Sequence, residues 1–148
     1  MILDMNNVTK FELLKPASEV FEAFVDPKKI GNFWFSSSSE RWEQGKTVTL
    51  KYDEYDALVD IEVIKIDINK KIVFQWGADG DKHIVTISLK ELDNLSTHIE
   101  ITEEGFKGNT DDLLSEMIDN KEGWVYMLTC LKGYLEFGIT ELRAGIVK

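Results

Sequence analysis

Glu103 and Glu104 stand directly before Gly105-Phe106, at the end of a run that alternates Leu95, Thr97, Ile99 and Ile101. Successive side chains of a strand point to opposite faces, so only one of the two carboxylates can point inward, and Glu103 shares parity with Ile99 and Ile101. A carboxylate held among aromatic residues at a cavity mouth can serve as a general base. Glu103 is therefore the one candidate catalytic residue, set against the plainer reading that adjacent glutamates are solvated. His83, His98 and Cys130 are the soft metal ligands; each lies on a different predicted element without the close spacing of a zinc site, so no metal is expected. His98, Glu100 and Thr102 share one strand face, but it is opposite Ile99 and Ile101 and should be wet. Cys130 lies off the main apolar stripe of its helix, with no base near it in sequence, and reads as a structural thiol. Asp53, Glu54 and Asp56 crowd a turn, where acidic side chains make local hydrogen bonds. There is no glycine-rich phosphate loop, nucleophile elbow or dinucleotide fingerprint, and no cofactor is expected.

Binding is the second chemistry the residues could support. Phe24, Trp34, Tyr52, Phe74, Trp76, Phe106, Trp124, Met127 and Leu131 come from different predicted elements and are the candidates to line an apolar cavity. The competing reading is that these side chains fill a close-packed core. Four tryptophans and eight phenylalanines could line a pocket or close it.

The elements that must position these residues follow from periodicity. From Gly123 to Phe137, Trp124, Met127, Leu128, Leu131 and Leu135 fall on one face of a helix. Leu113, Leu114, Met117 and Ile118 form a helical stretch before it, capped by Thr110 or Asp111, with a break near Asn120, and Gly138 is placed to end the helix. At the other end, Val8–Leu14 reads as a strand, and Pro16 opens a short helix with Ala17, Val20, Phe21 and Phe24 on its buried face. Asp26-Pro27 starts a second short helix bearing Ile30, Phe33 and Trp34. Ser36 to Ser39 read as a loop. Five more strands follow, with apolar faces Val48-Leu50-Tyr52, Val59-Ile61-Val63, Ile72-Phe74-Trp76, Val85-Ile87-Leu89 and Leu95-Thr97-Ile99-Ile101. The third strand of the chain changes phase at Ile64, which predicts a β-bulge. The expected class is α+β, a curved six-stranded antiparallel sheet wrapped around a long C-terminal helix, with two short helices after strand one.

Composition narrows the partners. The formal net charge of −10, from 27 acidic and 17 basic residues, argues against nucleic acid, and the lysines are scattered. No run is apolar enough for a membrane span. One cysteine and no signal-peptide pattern make a cytoplasmic setting the expectation, for one domain over residues 1–148, monomeric or homodimeric.

Four stretches carry a family resemblance: Pro16 to Phe24 with Asp26-Pro27, the aromatic Ile30 to Trp34, Leu95 to Ile101 with Gly105-Phe106, and Gly123-Trp124 with Leu128, Leu131 and Tyr134-Leu135. Together they resemble the START-like or Bet v 1-like helix-grip superfamily, SRPBCC. The branch is the one named after the C-terminal domain of the activator of the heat-shock-protein-90 ATPase. That resemblance implies a cavity between sheet and helix and three possible activities, and fold alone does not choose among them. The first is binding of a hydrophobic or lipid-like small molecule, entering between the long helix and the Trp34–Ser39 loop and lost in a Trp124→Ala, Met127→Ala variant. A chaperone-binding module of the heat-shock-protein-90 type would use the acidic face at Asp53, Glu54 and Asp56. A polyketide-cyclase-like enzyme would depend on Glu103.

Overall fold

The computed structural model describes residues 5–147. The first strand, β1 (Met5–Leu13), is followed by α1 (Ala17–Val25), a single 3-10 turn at Ile30–Asn32 and a two-residue strand, β2 (Ser37–Ser38). The strands β3 (Thr47–Tyr52), β4 (Ala57–Asp67), β5 (Lys71–Trp76), β6 (His83–Glu91) and β7 (Thr97–Phe106) then lead to α2 (Thr110–Phe137). All the strands form one antiparallel sheet in the order β1-β7-β6-β5-β4-β3-β2. Alternation decides which face is dry: Val85, Ile87 and Leu89 of β6 are buried while Ile84 and Lys90 face out, and Ile99 and Ile101 of β7 repeat the pattern.

The sheet has seven strands rather than the expected six. Ser37 and Ser38 pair with Lys51 and Leu50, an edge contact made by backbone alone, so no side-chain pattern announces it. Leu95 drops out of the last strand; it takes a left-handed conformation in the turn and is exposed. The pairing of β4 with β5 slips between Val63 and Lys65, so Ile64 is the bulged residue, as the phase change predicts, and it bends the sheet.

The second short helix is reduced to one turn. Phe33, Trp34 and Phe35 are all at least nine-tenths buried, which three consecutive residues on one helix face cannot be. The chain instead doubles back at Gly31, where a Cβ would lie 2.7 Å from the Ser36 carbonyl oxygen. The long helix runs through Asn120 without a break. Asn109, rather than Thr110 or Asp111, caps it by accepting from the Asp112 N–H at 3.1 Å. Gly138, with φ 69°, ends it, and the Ile139 N–H reaches back to the Gly133 carbonyl.

In the helix, Trp124, Met127, Leu128 and Leu131 are buried against the sheet, whereas Leu114 and Ile118 face solvent. Polar contacts tie it to β1: Asn7 Nδ2 donates to the Met117 carbonyl at 2.9 Å, Lys132 Nζ to the Glu12 carbonyl at 2.9 Å, and Lys121 Nζ to the Val8 carbonyl.

A second irregularity sits at the far end of β7. Pairing with β1 skips Gly105, which bulges out with φ 113°. A Cβ there would lie 2.9 Å from the Lys82 carbonyl oxygen and 3.0 Å from the His83 ring. Gly105→Ala should therefore lower the unfolding free energy by about 1–3 kcal/mol in urea denaturation. A midpoint equal to that of the wild type would mean that the bulge tolerates a side chain.

Candidate functional site

Strand parity builds the site. On β7, Glu103 points to the same side as Ile99 and Ile101; Val85 lies opposite it on β6, so His83, two residues back on the same face, is its diagonal neighbour. Trp76 of β5 pairs directly with His83. From above, Asn120 and Trp124 sit one turn apart on α2 and reach down to the same place. Glu103 is 3% exposed, and each of its oxygens meets two donor groups. Oε1 accepts from Asn120 Nδ2 at 2.9 Å and from Trp124 Nε1 at 3.0 Å, and Oε2 from Trp76 Nε1 at 3.3 Å. His83 Nδ1 stands 2.7 Å from Oε2. Because a carboxylate only accepts, Nδ1 carries a proton, and Nε2 faces outward.

Around this cluster the aromatic residues separate into two groups. Trp34 is the hub: its ring centroid lies 5.4 Å from that of Trp124, 6.1 Å from Phe24 and 6.3 Å from Trp76, while Trp76 stacks on Trp124 at 5.7 Å. Phe24, Phe74 and Leu131 are fully enclosed and serve as core. Phe106 is also enclosed, edge-on to the His83 ring at 4.5 Å. The other five expected cavity residues border clefts. Trp34, Tyr52 and Met127, with Phe33, Tyr126 and Ile146, rim one of about 220 Å³. Trp34, Trp76 and Trp124, with Asn120 and Gly123, rim one of about 160 Å³. A third, of about 420 Å³, is bordered by Phe35, Trp76, Asp81, His83, Glu103 and Glu116. A further groove of about 490 Å³ lies on the opposite, wet face of the sheet. There His98 sits 3.5 Å from Glu12, and Lys10 3.4 Å from Glu100, all with exposed side chains.

The segment after α2 closes the first cleft. Arg143 donates from Nε to the Trp34 carbonyl at 2.6 Å and grips Glu54 through both terminal nitrogens at 2.7 and 2.8 Å, with its guanidinium 4.9 Å from the Tyr52 ring centroid. Tyr55 donates to the Ile146 carbonyl at 2.7 Å, and Tyr126 to that of Leu142. Arg143 and the surrounding hydrogen bonds hold the Glu54 carboxyl down at about 2, from an ordinary 4.5. Of the acidic trio, Glu54 is thus committed to this clasp. Cys130 is buried beside it, and burial pushes its thiol above the ordinary value, which leaves it a poor nucleophile.

The sequence names His83 only as an isolated soft ligand and Asn120 only as a helix break, and it assigns no role to Arg143. His83 has the parity of Val85 and Ile87, the one signal that places it inward. Asn120 resembled a helix break, although it lies four residues before Trp124. Nothing in the sequence near Arg143 points to Glu54, 89 residues away.

Residues 15–136 match the family model described as Activator of Hsp90 ATPase homolog 1-like protein. Among solved structures, the protein SSP2350 from Staphylococcus saprophyticus is 50% identical, with a TM-score of 0.79 over 92% of this chain and 95% of that one. The Aha1 dimer from Colwellia psychrerythraea is 19% identical, with a TM-score of 0.79 over 90% and 98%. DynU16, a putative protein in the dynemicin biosynthetic locus, is 22% identical, with a TM-score of 0.80 over 91% of this chain and 48% of that one. At those lower identities the likeness is one of fold. No curated protein matches the sequence.

Two outcomes test this geometry. Glu103→Gln replaces an acceptor oxygen by an NH2 facing donors and should cost about 1–3 kcal/mol in urea denaturation; an unchanged midpoint would show that the four contacts carry no stability. Since the Glu54 carboxyl is depressed in the folded state, its contribution to the clasp is complete above pH 4.5 and is lost as pH falls towards 2. The Ile146 methyl resonances should keep their folded shifts at pH 5, drift towards random-coil values over that window, and lie there at every pH in Arg143→Ala.

Proposed function

The chain belongs to the Activator of Hsp90 ATPase homolog 1-like family, and from that premise we propose that it binds a small hydrophobic or amphipathic molecule along the seam between α2 and the sheet. One observation carries this reading. Three clefts adjoin in series, the first and second sharing Trp34 and Gly123 and the second and third sharing Trp76, and they run from an apolar end at Met127 and Tyr52 to a polar end at His83 and Glu103. Aromatic walls with a few fixed polar groups are how small-molecule sites combine affinity with orientation. At about 220 Å³ the apolar cleft is smaller than the roughly 300–1,000 Å³ usual for such sites, so a ligand of ordinary size would have to displace Ile146. Entry would then lie between α2 and the loop after Trp34, with the Arg143 clasp as its gate.

In this reading Trp34, Tyr52, Trp76, Trp124 and Met127 contact the ligand, while Phe24, Phe74, Phe106 and Leu131 support them. The family match favours a second reading, a contact with a chaperone of the heat-shock-protein-90 type. Asp53 and Asp56 would then present the acidic surface, since Glu54 is held by Arg143.

Nile red, a neutral solvatochromic dye, tests the first reading. Met127 is the cleaner position to change, because Trp124 also donates to Glu103. Met127→Ala should weaken dye binding at least about tenfold, the loss of roughly 1.4 kcal/mol. Because Met127 is buried, the variant should also unfold at a lower temperature, and circular dichroism checks that it is folded where binding is measured. Arg143→Ala should tighten binding by releasing the tail. Equal binding by folded Met127→Ala and wild type would remove the apolar cleft as the site. For the chaperone reading, Asp53→Lys with Asp56→Lys should abolish stimulation of the chaperone's ATPase and leave dye binding intact.

A further inference from the structure

At the mouth of the third cleft His83 is 8% exposed, and its ring is fixed from behind by the 2.7 Å contact between Nδ1 and Glu103. Among the described residues Nε2 makes no hydrogen bond. Two carboxylate oxygens face it instead, Asp81 Oδ1 at 3.9 Å and Glu116 Oε1 at 4.0 Å, and the three atoms lie within 4.8 Å of one another. A neutral imidazole here turns its lone pair towards two anions, three acceptors with no donor among them. The neighbouring cation does not relieve this, since Lys82 turns to Asp79, at 3.9 Å.

We infer that Asp81, His83 and Glu116 form a site for a divalent first-row transition-metal cation, with Zn²⁺ as the probe. One imidazole nitrogen and two carboxylate oxygens make a borderline donor set that suits such ions, and it leaves further positions for water. Zinc–ligand distances of about 2.0–2.2 Å put the ligands of a tetrahedral ion roughly 3.4 Å apart. The observed 3.9 and 4.0 Å must therefore contract by about half an ångström, and the separation of the two carboxylate oxygens, which lie within 4.8 Å, by up to about 1.4 Å. That adjustment is available, because the side chains of Asp81 and Glu116 are 68% and 49% exposed while His83 stays fixed. Glu103 takes the place that a carboxylate behind a ligating histidine usually holds, setting the tautomer and the ring plane. It is a positioning residue, and it does not touch the ion. A proton on Nε2 would serve one of the three acceptors; a divalent cation serves all of them. The site stands whether or not the seam holds a small molecule.

The chain has only two histidines, which makes the test direct. After treatment with EDTA and dialysis, titration with ZnCl2 in a calorimeter should give one equivalent bound with a Kd below about 100 μM. In long-range ¹H–¹⁵N spectra the Nε2 resonance of His83 should move with saturation while Nδ1 stays protonated and His98 is unaffected. Asp81→Asn with Glu116→Gln, both at exposed positions where folding should survive, should weaken binding at least about tenfold. Glu103→Gln should weaken it by about 10–100-fold without removing a ligand. The inference is overturned by the absence of saturable binding at 1 mM Zn²⁺ (about −4.1 kcal/mol), by equal affinity in the double variant, or by a shift of His98 in place of His83. Failure of Nile red to bind would leave these outcomes unchanged, so the two readings fail separately.

Discussion

A single buried carboxylate fixes how the two layers of this protein meet. Taking Glu103 out of water costs several kcal/mol unless its oxygens are answered by donors, and four side chains from β5, β6 and α2 answer them. Apolar burial is non-directional and would let a helix slide or rotate on a sheet at little cost. Hydrogen bonds are not. Asn120 and Trp124 can both reach Oε1 in only one rotational setting of α2, and Trp76 and Trp124 stack because each points its indole N–H at the same carboxylate. The aromatic seam thus inherits its geometry from a polar group at its end.

Which parts of this were legible in the sequence depends on the distance over which each signal acts. The inward direction of Glu103 follows from parity with Ile99 and Ile101, and the bulge at Ile64 from a phase change within one strand; both are local. The ends of α2 follow from local chemistry as well, although the capping residue proved to be Asn109. Contacts that depend on which strands become neighbours were not legible. The donors to Glu103 lie 17 to 27 residues away along the chain, and no periodicity links them. The pairing of Ser37 and Ser38 uses backbone only. Three successive buried aromatics, Phe33 to Phe35, fit no regular period, and they are buried because the chain reverses at Gly31.

The family to which the chain belongs, and its likeness to the structure from Staphylococcus saprophyticus, account for the sheet and the long helix. It does not account for the way the side chains divide the interior. Trp34 touches rings from α1, β5 and α2, so the space between the layers is broken into small compartments rather than left as one chamber. Such a partition favours flat or slender molecules over bulky ones. It also separates an apolar end from an acidic one, where Asp81 and Glu116 gather near His83.

The clasp between Arg143 and Glu54 has a thermodynamic consequence of its own. A cleft covered most of the time is open only in a fraction of molecules, and the measured dissociation constant of anything that needs it open equals the intrinsic one divided by that fraction. For the proposed ligand, affinity would then be set at two places, the walls at Met127 and Tyr52 and the ion pair that packs on Tyr52. Two proteins with identical walls but different residues at positions 54 and 143 would differ in how tightly they hold the same molecule. Salt, which screens the pair, would loosen the clasp, enlarge the open fraction and so tighten apparent binding without itself entering the cleft.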